Sequence, residues 1–302
     1  MKLRMRLDLE LMQGSIDTHA HSNPALFPRP WDHVEVAKNA RDYDMKAVVL
    51  KCHHEGTAAR AQLVRKMIGG VEVLGGIVLN QSVGGLNPFA VNAQIKWGAK
   101  VVWMPTVDAR NHQEYYKVLG QYGDKFVPEV EKPKGYQIAK GISIPIGEDE
   151  EIPQNLADIL DQVADADIAL GSGHISAAEI KRLFQEAKKR GVKRMFVNHP
   201  AFSIPNLSVE DMKELANLGV YMEFVYGTLS PNWHASDIET VAANIREVGA
   251  EHCTIASDLG QIHNPIHPEG MRIYIRMLLE RRFTEKEIER MVTRNPAYLV
   301  GL

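Results

Sequence analysis

IDTHAHS, residues 16–22, sets His19 and His21 two positions apart, with Asp17 just ahead of them. In an extended strand, side chains at i and i+2 share a face, so the two imidazoles converge on one point. Neutral imidazole is a ligand for zinc and similar divalent ions. In a turn, the same residues are a polar pair satisfied by local hydrogen bonds. The stretch alone does not choose; its surroundings do.

Working outward, short apolar runs alternate with amphipathic segments. The runs are GSIDTH (14–19), KAVVLK (46–51), VEVLGGIVL (71–79), AKVVWMP (99–105), DIALGSG (167–173), KRMFVN (193–198), GVYMEFVY (219–226) and HCTIAS (252–257). Most are rich in Val and Ile, as parallel strands covered on both faces require. Helical patterns follow each in turn, at 34–44, 57–68, 88–98, 155–167, 176–191, 208–219, 236–249 and 269–283. Ser176 and Ser208 open capping boxes or their Asp relative, and Gly191, Gly219 and Gly249 close helices. Eight such repeats predict an α/β fold, a (β/α)8 TIM-like barrel in one domain over 1–302. An open doubly wound sheet is the second choice, but the first strand lacks the glycines of a phosphate loop. Thr106 to about Glu151 forms the longest connection, after strand 4. Within it YQIAKGISIPI (136–146) reads as a small hairpin, and the whole as a lid or pocket wall. At the start, Leu3, Leu7 and Leu11 share a helical face, and strict alternation also fits a strand; a helix covering the barrel floor is favoured.

Composition excludes several classes. The net charge is −3, which argues against nucleic acid or an anionic membrane as partner. The basic stretch Lys181 to Arg194 reads as a solvated helix face. Two cysteines, Cys52 and Cys253, make no disulfide framework, so a reducing cytoplasm is the simpler setting. No apolar run approaches the ~20 residues of a membrane span, and the N-terminal residues do not form a signal peptide. A small-molecule substrate is expected, and a homo-oligomer is compatible with everything above.

In a barrel, chemistry gathers at the C-terminal ends of strands. There the sequence places His19 and His21 (strand 1), Lys51, Cys52, His53 and His54 (strand 2), His174 (strand 5), His199 (strand 6) and Asp258 (strand 8). Histidines scattered through a core for hydrogen bonding would not track strand ends in this way.

Asp-x-His-x-His on strand 1, single histidines after strands 5 and 6, and Asp after strand 8 resemble the amidohydrolase superfamily. The ending TRNPAYLVGL is similar to the close of many of its members. This resemblance implies a distorted barrel with one or two divalent metals in its mouth, zinc first, with manganese, iron or nickel as alternatives. It implies that His19, His21 and Asp258 hold the more buried metal, that His174 and His199 hold a second, and that Asp258 moves the catalytic proton. A departure lies at the bridge between metals. Many members carry a carboxylated lysine or a glutamate at the end of strand 3 or 4, where this chain has VLNQS and VVWMPTVD. Lys51 then has two roles open to it, a carboxylated bridge or a contact for an anionic substrate group.

Other residues are candidates for substrate contact: His53, which shares the parity of Lys51, Thr106 and Arg110 at the start of the long loop, Glu223 within strand 7, and His234 after it. Each has a structural alternative as a loop or core residue. His263 and His267 after strand 8 carry the same pair of readings; Trp31, Trp103 and Trp233 read first as core. The function expected is metal-dependent hydrolysis of an amide, lactone or other ester. A mononuclear decarboxylase or hydratase, a phosphoester hydrolase and a non-catalytic zinc-binding protein are alternatives. The last would call for a closed, cysteine-rich site, which the sequence does not offer.

Overall fold

The structure, a computed structural model, describes residues 6–122, 140–147 and 150–302. Eight parallel strands lie side by side in chain order: β1 Ile16–His21, β2 Ala47–Lys51, β3 Glu72–Val78, β4 Val101–Trp103, β5 Ala169–Gly171, β6 Arg194–Asn198, β7 Val220–Val225 and β8 Cys253–Ala256. The barrel closes just past the end of β8. There Ala20 bridges Leu259, the His21 N–H donates to the Leu259 carbonyl (2.9 Å) and the Asp258 N–H donates to the His19 carbonyl (2.8 Å).

Helix α1 is Leu7–Glu10. Helices α2 (His33–Asp42), α3 (Ala58–Ile68) and α4 (Pro88–Lys96) follow the first three strands. Both α5 (Arg110–Tyr116) and α6 (Gln154–Asp165) follow β4. Then come α7 (Ala177–Lys189), α8 (Val209–Asn217) and α9 (Ile238–Val248), and after β8 α10 (His267–Glu280), α11 (Glu285–Glu289) and α12 (Asn295–Val300). Capping boxes start α7 and α8 at Ser176 and Ser208, as the sequence predicts; Asp32 and Thr284 cap α2 and α11 in the same way. Each box satisfies amide groups that the first helical turn leaves without partners.

Two apolar layers hold the barrel. The outward strand residues, such as Val48, Leu50 and Val102, pack under the helices. The inward ones, including Ala47, Val49, Val101, Trp103 and Phe196, fill the lower barrel. Trp103 fits because Gly171 stands beside it, where a Cβ would run into the indole and into Phe196.

Strand β1 is not regular. Asp17 pairs with Val48 and Ala20 with Leu50, so Thr18 and His19 together stand opposite the single residue Val49. This is a bulge, which reverses the parity of the strand beyond it. Ile16 faces the interior with Ala47, yet His21 also faces inward beside Lys51. Without the extra residue His19 and His21 would point at the helices.

Three sequence expectations need correction. The N-terminal helix forms, but Asp8 pairs with Arg272 of α10 at the side of the barrel. The floor belongs to α12, whose Leu299 and Val300 join the interior cluster. Of the expected hairpin at 136–146, residues 136–139 lie outside the described residues; in the remainder Ile142 bridges in parallel to Ala109 instead. The start of the long connection is helical, as α5. Among the described residues no helix is long and apolar enough to cross a membrane.

Candidate metal centre

The bulge and the closing seam bring three acceptor atoms together. His19 Nε2 and His21 Nε2 each lie 3.2 Å from Asp258 Oδ1. One ligand atom from each residue lies within 4.8 Å of the other two. The tautomers follow from the partners of the other ring nitrogens. His21 Nδ1 is 3.0 Å from the Lys51 carbonyl, which only accepts, so Nδ1 carries the hydrogen. His19 Nδ1 is 2.8 Å from Glu223 Oε2 and donates to that carboxylate. Both Nε2 atoms therefore present lone pairs. Burial, the largest influence on each ring, pushes His19 down to about 3 and His21 well below the usual histidine range, so both are neutral at pH 7. Two imidazole nitrogens that carry no hydrogen converge with a carboxylate oxygen, and the cationic group now against them is the Lys51 ammonium, 2.9 Å from His19 Nε2; such a set of acceptors describes a cation site.

Glu223 is an orienting group here, not the substrate contact its position in β7 suggested. It accepts hydrogen bonds from Thr18 Oγ1 (2.6 Å), Asn198 Nδ2 (2.7 Å) and His19 Nδ1, and it does not line the cavity. A carboxylate behind a histidine fixes the tautomer and raises the basicity of the nitrogen in front. The bulge makes this possible, because Thr18 and His19 both face Glu223.

His174 and His199 border the same cavity, their ring centroids 5.0 Å apart, but stand outside the three-residue cluster. The His112 ring bonds the Gln121 carbonyl through Nε2 (2.6 Å) and must donate there. Its Nδ1 then accepts from His174 Nδ1 (2.9 Å), so His174 Nε2 is a third imidazole lone pair. His199 Nδ1 is buried with no hydrogen-bond partner. Burial lowers His174 well below its usual range and His199 to about 4. His199 and Asp258 both have positive φ, +34° and +50°, a strained backbone that the strand-end turns hold in place.

Lys51 is buried in the cavity and its Nζ donates to His19 Nε2 at 2.9 Å. Burial lowers it to about 8, despite attraction from Asp258 and Glu223. His53 stacks on His21 with centroids 4.7 Å apart. Its Nδ1 lies 2.8 Å from Thr106 Oγ1, which already accepts from Asn80 Nδ2 (2.8 Å). The Thr106 hydroxyl hydrogen is thus left for His53 Nδ1, and His53 Nε2 holds a proton. Thr106 itself is fully buried behind His53 and does not reach the cavity.

Arg110 and His234, read as substrate contacts, are both exposed and away from the cavity. Arg110 begins α5, its N–H donating to the Ile142 carbonyl; His234 lies in the connection between β7 and α9, its N–H donating to the Ser230 carbonyl. His267 is buried and its Nε2 donates to the carbonyls of His21 and Leu259, both at 2.9 Å, so it pins the seam; exposed His263 does not line the cavity. The cavity, about 50 Å³, is completed by residues the sequence did not single out: Phe27, Arg29, Tyr122 and Phe202, with Trp233, first read as core. Arg29 lies in NPALFPRPW (23–31), between β1 and α2. The available signal was a lone arginine between prolines in a loop at the catalytic end.

The eight strands and the helices between them define a TIM-like (β/α)8 fold with histidines at the mouth of the barrel. Within it, the chain belongs to DUF6282, a family of unknown function whose model matches residues 14–223. A comparison with curated protein sequences gives no match. Among solved structures, the chain is similar to an amidohydrolase from Pseudomonas aeruginosa, at 14% identity over 98% of this chain and 99% of that one, with a TM-score of 0.59. It is similar to the probable dipeptidase PvdM from the same organism, at 11% identity over 97% of both chains and a TM-score of 0.63. It is also similar to 2,6-dihydroxybenzoate decarboxylase from Rhizobium, at 11% identity over 96% of this chain and 99% of that one, TM-score 0.54. At these identities the likeness is one of fold.

Proposed function

We propose that the chain is a metal-dependent hydrolase acting on an amide, lactone or other ester bond of a small molecule. His19, His21 and Asp258 would hold a divalent cation, zinc foremost, with the His174 lone pair as the next ligand. The carrying observation is the convergence of three acceptor atoms, those of His19, His21 and Asp258, of which His19 Nε2 is the one the Lys51 amine now occupies. The orphaned Nδ1 of His199 agrees with it, as a buried acceptor or donor that the protein alone does not satisfy.

When bound, such a cation supplies Lewis acidity toward a scissile carbonyl and lowers the pKa of an adjoining water toward 7. The rest falls to the chain. Oδ1 of Asp258 meets the two histidines, so Oδ2 is placed to take a proton from water and return it to the leaving group. His53 holds its Nε2 proton for a substrate oxygen. Glu223 keeps His19 in the tautomer that binds. Phe27, Tyr122 and Trp233 restrict water over the site.

Decarboxylation at a single metal is the second reading, and one observation favours it. Asn80, just past β3, and Thr106, past β4, bond to each other there, so neither position offers a carboxylate or a lysine to bridge two cations. Lys51 would have to be carboxylated to do so, whereas here its amine occupies His19 Nε2.

Elemental mass spectrometry of the purified protein tests the proposal. About one divalent metal per chain is expected. Two would assign the second to His174 and His199 with a carboxylated Lys51. None, after exposure to zinc or manganese, refutes the metal site. With a substrate in hand, Asp258→Asn should keep the fold and lower turnover roughly 10²–10⁴-fold; unchanged turnover removes its proton-transfer role.

A further inference from the structure

The cavity wall carries a cation that the metal chemistry does not use. Arg29 reaches in from the loop after β1, its Nε enclosed and without a hydrogen-bond partner, its guanidinium carbon 6.0 Å from the Phe27 ring centroid. The acidic groups acting on it are Tyr122, Asp258 and Cys52. Of these, Asp258 already engages His19 and His21, and burial pushes Tyr122 and Cys52 upward, away from ionisation.

With a divalent cation bound, the charges would not balance. Arg29 and Lys51 face the cavity against Asp258, with Glu223 behind His19. A divalent cation would leave the site with an excess of positive charge. A neutral substrate closing the mouth would leave the Arg29 fork desolvated and unpaired, which is costly. An anion relieves both. The walls around Arg29 are aromatic: Phe27 to Tyr122, Tyr122 to Trp233 and Trp233 to Phe202 have centroids 6.0, 5.2 and 6.1 Å apart. Such faces take a flat apolar body by stacking or edge contact.

We propose that the substrate is a small carboxylate on an aromatic or otherwise planar body, and that Arg29 is the residue that selects it. The planar guanidinium matches a two-oxygen carboxylate bidentately, and Phe27, Tyr122 and Trp233 hold the body to which it is attached. The chemistry that follows rests on the metal-dependent reading above; the recognition by Arg29 does not. In sequence terms, Arg29 takes a substrate-contact role for which Arg110 was the arginine expected.

The test is isothermal titration of benzoate, benzamide and phenyl phosphate into zinc-loaded and into chelator-stripped protein. Wild type, Arg29→Gln and Arg29→Lys are compared. Benzoate should bind both protein forms, and benzamide roughly tenfold or more weakly, the worth of a charge-assisted pair. Arg29→Gln should weaken benzoate by about the same factor in both forms and leave benzamide unchanged, which a merely structural loss would not do. Arg29→Lys keeps the charge without the fork, should fall between, and serves alone if the glutamine variant fails to fold. Equal binding of benzoate by wild type and both variants overturns the proposal, as does benzamide binding as well as benzoate. Tighter binding of phenyl phosphate than benzoate overturns it in favour of a phosphoester. If the protein takes up no metal, the stripped arm still decides the role of Arg29, so the two readings fail separately.

Discussion

Lys51→Met isolates one buried charge at the mouth of the barrel. Lys51 is 2% exposed, and burial takes its ammonium from 10.5 to about 8 even with Asp258 and Glu223 in attraction. That shift of about 2.5 units corresponds to about 3 kcal/mol against the charged form at pH 7. Methionine keeps the unbranched stem and its packing over Trp103, where Nζ lies 5.6 Å from the ring centroid. It forfeits the hydrogen bond to His19 Nε2, about 1 kcal/mol. In protein stripped of divalent ions, the variant should therefore be more stable than wild type by about 2 kcal/mol at pH 7, or about 3 °C in Tm for a chain of this size. The folded pKa lies below the unfolded one, so between pH 8 and 10.5 the unfolded chain binds more protons. Wild-type stability must then rise with pH through that window while the variant's does not, and the gap between them closes by about pH 10. Scanning calorimetry at pH 7 and pH 10 reads both effects. The variant should also bind zinc more tightly, because no ammonium competes for His19 Nε2. A variant that melts below wild type at pH 7, or a gap independent of pH, refutes the account of a buried amine. A loss of zinc together with that lower melting would instead make Lys51 a carboxylated ligand.

Glu223→Gln should cut zinc affinity roughly 10–100-fold by weakening the group behind His19, measured by competition with a chromophoric chelator; an unchanged constant means that the tautomer is set elsewhere. Acid should destabilise the stripped protein. His19 and His199, held near 3 and 4, bind protons below about pH 6.5 only when unfolded. Each then removes about 1.4 kcal/mol per pH unit between 6.5 and 4. Urea midpoints across that range should show His199→Gln flattening the slope by one such increment, and an unaltered slope would mean that His199 is already charged. Gly260, at φ +123°, lies against the His21 carbonyl, which an added Cβ would overlap. Gly260→Ala should cost roughly 3 kcal/mol and lose metal together with stability, and wild-type melting would show that the seam is looser than described.

The strands, their order and the placing of histidines at strand ends were legible because a parallel strand buried on both faces leaves a dense apolar run, and the barrel fixes which end of it faces the mouth. His174 and His199 needed nothing more. His19 and His21 were legible as a pair, since two positions along a strand share a face whichever way it points. That they point inward depends on the bulge at Thr18 and His19, which carries no residue-type signal. Glu223 was ambiguous for a related reason. Its partner Asn198 is on another strand and its partner Thr18 is 205 residues away, so only the closed barrel reveals that its acceptors are taken. Arg29, Tyr122 and Arg110 all belong to the connections after strands, where direction is set by turns and helix starts and not by the strand period. That is why the sequence offered Arg110 as a substrate contact and passed over Arg29. The floor went to α1 instead of α12 because both are short and apolar on one side, and only the Asp8–Arg272 pair draws α1 away.

The closing seam has a consequence for biosynthesis. Asp17 accepts the Ser257 N–H across 240 residues of chain, and His267 clasps His21 and Leu259 from the following helix. The histidines that would hold a cation are thus made first and their aspartate nearly last. A ribosome-bound chain carries His19 and His21 through most of translation with nothing opposite them, and the cluster exists only once the eighth strand has emerged and docked. Uptake of an ion there would then be a late event that reports completion of the barrel. A prematurely terminated chain would display the histidine pair but could not retain a cation there with the affinity of the finished protein.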